Sequence, residues 1–175
     1  LYASINKNLL HSLGGKTIIS GEFEDGLVQL YKQLLESTFV GDSGLISLKK
    51  QKFRKPKRSD LPNLDQYAKL INGKAQSITV GYTEGTRGCK HICRHCPVVP
   101  VYNGRFFVVQ PDVVMGDIRQ QVEAGAEHIT FGDPDFFNGP GHALRLIESF
   151  HEEFPKHTYD VTIKVEHLLA HREKL

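Results

Sequence analysis

The chain has 175 residues, with an apolar share of 39% and a charged share of 24%, a composition that indicates a folded globular protein and excludes a disordered one. No run approaches the roughly 18 apolar residues of a membrane span, and the N-terminus lacks the charged-then-apolar pattern of a secretory signal. We therefore expect a cytoplasmic protein with no membrane partner. The first residue is Leu1 and the single methionine is Met115, so we interpret the sequence as a segment of a longer protein.

The net charge of +2 is unevenly distributed along the chain. Seven basic residues fall within positions 49–58, which contain no acid: Lys49, Lys50, Lys52, Arg54, Lys55, Lys57 and Arg58. A run of this kind is typical of a solvated interdomain linker, and it is also compatible with a nucleic-acid contact. Because Phe53 is its only aromatic residue for base stacking, we favour the linker.

The hydrophobic pattern predicts helices and strands along most of the chain. Before residue 77 we expect a strand at 17–19, a helix from Glu24 to Ser37, extended pieces at 39–40 and 45–48, and an irregular or one-turn segment at 61–67. From residue 77 onward we expect a strand at 77–82 and a long loop that ends in an extended piece at 106–109. Helices at 111–124, 142–154 and 167–174 then alternate with strands at 128–131 and 159–165. This alternation indicates parallel strands with helical crossovers, so the predicted fold class is α/β.

Two unusual loops of the second half follow predicted strands. They are residues 85–97, which contain every cysteine of the chain, and Gly132–Asp135. In α/β folds, functional residues collect at the carboxyl ends of the strands. We therefore expect both loops to lie on the same face of the sheet.

The three cysteines have the spacing C-x3-C-x2-C, as Cys89, Cys93 and Cys96. An odd number of clustered cysteines does not suit a disulfide framework, and it favours a reducing compartment and metal ligation. A structural zinc site takes four protein ligands, which His91 or His95 would complete. A 4Fe-4S cluster has four irons, so three thiolates would leave one iron open to an exogenous ligand.

This loop, with Thr86-Arg87-Gly88 directly before Cys89, resembles that of the radical S-adenosylmethionine (radical SAM) superfamily. The resemblance implies that the three cysteines bind a 4Fe-4S cluster whose open iron chelates S-adenosylmethionine. It implies an enzyme that cleaves this cofactor reductively to a 5′-deoxyadenosyl radical, on the first part of a partial (β/α) TIM-like barrel. The implied protein partner is an electron donor of the flavodoxin or ferredoxin type. The substrate, a small molecule or a peptide, stays unassigned.

The same resemblance assigns His95 and Gly132–Asp135 to S-adenosylmethionine. His95 occupies the position where the family usually has an aromatic residue near the adenine, and the alternative is an ordinary loop histidine. The segment consisting of Gly132, Asp133, Pro134 and Asp135 stands where the family has a glycine-rich GGE segment whose backbone binds the methionine amino group. Only the first glycine and an acid match, and the alternative is a plain turn.

Two charged residues complete the predicted cofactor site. Lys164 and Glu166 lie near the end of the third predicted strand of the core. From there they could reach the ribose or the carboxylate of the cofactor. An exposed charge pair is the alternative interpretation.

The N-terminal segment 18–27 contains Gly21-Glu22-x-Glu24 ahead of a predicted helix, and it resembles the end of the cobalamin-binding domain that precedes many radical SAM cores. The resemblance implies that residues 1–40 are the C-terminal remnant of this Rossmann-type domain, 41–76 a basic linker and 77–175 the N-terminal part of the radical SAM core. An Asp-x-His-x-x-Gly loop, which supplies a histidine to cobalt, is absent, so cobalamin binding is an option for a full-length protein only. The alternative interpretation of this segment is an ordinary strand, turn and helix. Residues 96–102 and 128–141 resemble the subgroup described by a cysteine- or selenocysteine-Ala-Glu-Pro tail.

The alternative function is a zinc-stabilised nucleic-acid-binding module, with the basic run touching RNA. In that case the three cysteines and His91 or His95 would hold the zinc. Electron transfer alone would normally use a fourth cysteine, which the chain lacks.

Overall fold

The chain forms two compact units in a computed structural model that describes residues 2–39, 45–71 and 73–174. The first unit comprises Leu1–Gln51 and Cys89–Arg105, and the second comprises Lys52–Gly88 and Phe106–Leu175. Both units combine helices and strands, which confirms the α/β class. The sheets are small, and none closes into a barrel among the described residues. No helix in that part of the chain has the length and hydropathy needed to cross a membrane.

The first unit is built around two short parallel strands. Its elements are α1 (Tyr2–Ile5), α2 (Lys7–Ser12), β1 (Ile19–Gly21), α3 (Glu24–Leu35), β2 (Leu45–Ser47) and α4 (Val99–Tyr102). β1 pairs with β2 in parallel, so β1, α3 and β2 form a βαβ unit. The predicted helix from Glu24 is confirmed, and it ends at Leu35 ahead of Ser37, whose φ of 53° is left-handed. The predicted strand at 17–19 is shifted to Ile19–Gly21, and Val40 of the predicted piece 39–40 lies outside the described residues.

The second unit contains the remaining elements. They are β3 (Leu70–Ile71), β4 (Ser77–Ile78), β5 (Val80–Thr83), β6 (Thr86–Gly88), β7 (Phe106–Val108), α5 (Pro111–Glu123), β8 (His128–Phe131), α6 (Pro140–Glu153), β9 (Thr158–Val161) and α7 (Val165–His171). Short 3-10 turns lie at Arg58–Asp60, Leu64–Gln66, Phe136–Asn138 and Arg172–Lys174. The turn at Leu64–Gln66 confirms the one-turn segment predicted at 61–67.

A three-stranded parallel sheet in the order β5-β8-β9 forms the centre of the second unit, which confirms the predicted parallel pairing. Buried Ile129 and Phe131 of β8 belong to the same apolar cluster as Ile118 of α5 and Leu146 and Phe150 of α6. α5 and α6 also contact each other. Both crossover helices therefore cover the same face of the sheet, and its strands follow one another in chain order.

The structure differs from the sequence prediction at several strand ends. The strand predicted at 77–82 is two strands, since β4 pairs antiparallel with β3 before the chain enters β5. β6 was not predicted, and it pairs antiparallel with β7. β9 ends at Val161 rather than at 165, because Lys164 is the residue before the first turn of α7.

Part of the basic run is docked on the second unit. Phe53 lies in the apolar core, with the Arg87 guanidinium 4.8 Å above its ring. Arg58 donates two hydrogen bonds of 2.7 Å to the buried Asp117 carboxylate and one of 2.8 Å to the Tyr82 carbonyl. We predicted a solvated linker for this basic run, but Phe53 and Arg58 pack against the second unit instead.

Candidate metal and cofactor site

The cysteine loop, residues 89–105, is an excursion between two paired strands. β6 and β7 are antiparallel, and Gly88 pairs with Phe106, so the residues flanking the loop are neighbours in the second unit. In the first unit the Cys89 amide donates to the Arg105 carbonyl at 3.1 Å. The loop is thus closed at its base.

Local hydrogen bonds shape the inside of this loop. The Cys96 amide donates to the Cys93 carbonyl at 3.1 Å, which makes a turn of the C-x2-C segment. α4 follows directly and ends at Tyr102, and the next residue, Asn103, has a left-handed φ of 45°. Val101 and Tyr102 of α4 are buried, so the end of the loop is anchored by packing.

The three cysteines are thiols and not half-cystines. Cys89 is buried, Cys93 and Cys96 are half-buried, and His95 is exposed. Among the described residues, the three sulfurs do not all lie within 4.8 Å of one another. Sulfurs that bind one tetrahedral zinc lie about 3.8 Å from one another, since each Zn–S distance is about 2.3 Å. In a 4Fe-4S cluster each thiolate binds its own iron, so the sulfurs need not share one ion, and three thiol donors are compatible with this group.

A buried carboxylate holds the end of the cysteine loop within the first unit. Glu22 is fully buried, and it accepts a hydrogen bond of 3.1 Å from the Tyr102 hydroxyl. The Glu22 amide donates to the Ser47 carbonyl, and the Glu22 carbonyl accepts from Gln51. The Gly-Glu segment that resembles a cobalamin domain therefore supports the residue that ends α4. The sequence carries no signal for this pairing.

Asp133, a predicted cofactor residue, organises the turn between β5 and β6. Its carboxylate accepts 2.9 Å and 2.6 Å hydrogen bonds from the Gly85 amide and the Thr86 hydroxyl, and the side chain is 2% exposed. Burial raises the pKa of Asp133, and the two hydrogen bonds partly oppose that rise. A Cβ atom at Gly85 would lie 3.0 Å from the Leu146 side chain, so a larger residue at this turn would require that side chain to shift.

Two further residues that the sequence prediction missed hold the backbone ahead of Cys89. His142 Nε2 lies 3.1 Å from the Gly85 carbonyl, and the Asn138 side-chain Nδ2 donates to the Gly88 carbonyl at 3.1 Å. Burial lowers the pKa of His142, which favours the neutral ring that donates to this carbonyl. Gly88 has a φ of 78°, a conformation that favours glycine. The loop after β8 thus fixes the strand that leads to the cysteines.

Asp135 and His167 form a buried pair in the second unit. His167 Nδ1 lies 2.9 Å from Asp135 Oδ2, and both side chains are buried. Asp135 also accepts from the Phe137 amide at 3.2 Å and so caps the 3-10 turn at Phe136–Asn138. The pair links the segment after β8 to α7. His167 has no distinguishing pattern in the sequence.

The remaining predicted residues of the second unit have separate surroundings. A side chain at Gly132 would collide with the Tyr82 ring in its present orientation. Burial raises the pKa of Tyr82 to about 12, so its hydroxyl stays protonated and donates to Glu84 at 3.2 Å. Lys164 and Glu166 form an exposed ion pair of 3.2 Å. The structure thus places the three cysteines in the first unit, and Gly132–Asp135, Lys164 and Glu166 in the second.

Comparison with family models, with curated proteins and with solved structures finds no match to this chain. Any function is therefore inferred from the chemistry of the residues and from the topology.

Proposed function

We propose that this chain is the cluster-bearing part of a radical SAM enzyme, with Cys89, Cys93 and Cys96 as the three protein ligands of a 4Fe-4S cluster. The observation that carries the proposal is the cysteine loop itself. It presents three thiols within eight residues, in a loop that is hydrogen-bonded at its base and anchored by α4. When bound, the cluster and S-adenosylmethionine supply the reductive chemistry.

The finer fold that we propose is the beginning of a (β/α) barrel. The sequential order β5-β8-β9 and the packing of α5 and α6 on one face support it, since a doubly wound sheet places helices on both faces. The parallel β1-α3-β2 unit supports a Rossmann-type remnant in the first unit.

In this proposal the chain's own residues position the ligands. Asp133, Asn138 and His142 hold the backbone of residues 85–88, and this restricts the conformations available to Cys89. Glu22 and Tyr102 restrain the other end of the loop. Ordered ligands lose less conformational entropy when they bind, so these contacts favour capture of a cluster.

The zinc and RNA alternative has less support from the structure. Phe53, the aromatic residue of the basic run, is buried and cannot stack on a base. Arg58 is already bound to the Asp117 carboxylate. Two of the residues that a nucleic acid would contact are therefore engaged within the second unit.

Anaerobic reconstitution with iron and sulfide tests the proposal. We expect about four irons per chain, and a large loss of bound iron in each of Cys89→Ser, Cys93→Ser and Cys96→Ser. The matched controls are Arg94→Ala and His95→Ala, which alter exposed residues of the same loop and are expected to retain iron. One tightly held zinc per chain, lost in His95→Ala, would overturn the proposal in favour of the zinc module.

A further inference from the structure

Tyr82 lies on the face of the three-stranded sheet opposite α5 and α6. It belongs to β5 and pairs with Thr130 of β8. The neighbouring residue of β8, Ile129, belongs to the apolar cluster that contains side chains of α5 and α6. Successive residues of a strand point to opposite faces of the sheet, so Tyr82 and Thr130 point away from both helices.

The Tyr82 ring crosses from β5 to the end of β8 and covers Gly132. A Cβ atom at Gly132 would collide with the hydroxyl and with two ring carbons of Tyr82, so the ring occupies the space that a side chain would fill there. The Tyr82 hydroxyl donates to Glu84 at 3.2 Å, and this bond holds the ring in its position. All three residues belong to the second unit, so the contact is internal to that unit.

Gly132 offers a ligand one polar group of its backbone. Its amide donates to the Thr83 carbonyl at 2.8 Å, so the group that it offers is the carbonyl. A carbonyl is an acceptor and suits an ammonium donor. This agrees with the methionine amino group, which the radical SAM resemblance assigns to residues 132–135. A ligand that approaches Gly132 over the face opposite the helices meets the Tyr82 ring.

We propose that Tyr82 is a gate of the cofactor site, whose ring has to leave Gly132 before the amino group of S-adenosylmethionine binds there. The inference rests on the proposed function and adds to it a residue that controls access. The Tyr82 side chain is 49% exposed, so a rotation about its torsions moves the ring off Gly132 without disturbing the apolar core. Opening breaks the hydrogen bond to Glu84, so we expect this bond to set much of the free energy of opening.

The affinity for S-adenosylmethionine tests the gate, measured by anaerobic isothermal titration calorimetry on protein reconstituted with iron and sulfide. We expect Tyr82→Ala to bind about tenfold more tightly than the wild type, because no binding free energy is used to displace a ring. Tyr82→Phe keeps the ring and loses the hydrogen bond to Glu84, so we expect a smaller gain of about threefold. The matched control is Tyr67→Ala, which removes a tyrosine of similar exposure, 48%, and is expected to leave the affinity unchanged.

Equal affinities of the wild type and Tyr82→Ala would overturn the gate and leave the proposed function standing, since both proteins would still bind the cofactor. Weaker binding by Tyr82→Ala would also overturn the gate, because the ring would then contribute to the binding surface. If neither the wild type nor any variant binds S-adenosylmethionine with the cluster in place, the proposed function and the gate are both overturned. The iron content of each variant is measured alongside, so that a change in affinity is not confused with a loss of the cluster.

Discussion

The Thr86 hydroxyl donates a 2.6 Å hydrogen bond to the buried Asp133 carboxylate. This contact joins the first residue of β6 to the loop after β8, 47 positions later in the sequence. Since β6 leads directly to Cys89, Asp133 controls the conformation of the backbone that precedes the first proposed cluster ligand. Its role in the second unit is therefore to hold the turn between β5 and β6.

Removing the Asp133 carboxylate is expected to destabilise the second unit strongly, whereas Asp133→Asn is expected to be mild. Asp133→Ala leaves the buried Gly85 amide and Thr86 hydroxyl without their acceptor, at about 1–3 kcal/mol for each group. An asparagine can accept from Gly85 and donate to Thr86, and it carries no charge to bury. Urea unfolding of both variants measures the difference. Equal losses of stability would contradict this account of the turn.

Asp133 also predicts a pH dependence of stability. Burial raises the folded-state pKa of this carboxyl above its ordinary value of 3.8, so the folded state binds the proton more tightly than the unfolded state. The stability that this raised pKa contributes is fully present below the pKa of the carboxyl in the unfolded state. It is lost as the pH rises through the pKa of the carboxyl in the folded state. The unfolding free energy of the wild type relative to Asp133→Asn should therefore fall as the pH rises from about 3.9 upward. A difference that is independent of pH would contradict the prediction.

Two neighbouring residues of the basic run should respond differently to alanine. Arg58 binds an Asp117 side chain that is 4% exposed, so Arg58→Ala leaves a buried carboxylate unpaired and is expected to cost about 3 kcal/mol. Lys57 pairs with Asp60, and these side chains are 75% and 65% exposed, so Lys57→Ala is expected to cost less than about 1 kcal/mol. Denaturant unfolding of the two variants measures this contrast. Similar losses of stability in the two variants would contradict the expected contribution of the contact between Arg58 and Asp117.

Gly21 and Gly14 form a matched pair in the first unit. Both have left-handed φ angles, 73° and 91°, so alanine at either position costs about 1–2 kcal/mol of backbone strain. A Cβ atom at Gly21 would also collide with the Ser47 carbonyl, whereas nothing lies within 4 Å of the same atom at Gly14. Gly21→Ala is therefore expected to destabilise clearly more than Gly14→Ala and to disrupt the pairing of β1 with β2. Thermal unfolding of the two variants provides the comparison, and equal shifts would contradict it.

The sequence predicted the elements whose pattern is local. β8 matches the predicted strand 128–131, and α5 lies within one residue of the predicted range, because apolar residues recur there at the strand and helix periods. β6 was missed because Thr86, Arg87 and Gly88 show no alternation, and the strand depends on its partner β7.

The supports of the candidate site could not be predicted from local patterns. Glu22 and Tyr102 are 80 residues apart in the sequence, and His142 and Gly85 are 57 apart. Such contacts are set by the topology that brings the loops together. The assignment of the clustered cysteines as ligands stays a prediction, and it could be made from the sequence because metal ligands keep a short, recognisable spacing.

Electron paramagnetic resonance of the reconstituted protein tests the central claim most directly. The protein is reduced anaerobically with dithionite, and spectra are recorded with and without S-adenosylmethionine, with Cys93→Ser as the control. The account predicts the signal of a reduced 4Fe-4S cluster whose g-values shift when S-adenosylmethionine is added, and no such signal in the variant. A cluster signal that is identical with and without S-adenosylmethionine, or the absence of a cluster signal in the wild type, would contradict it.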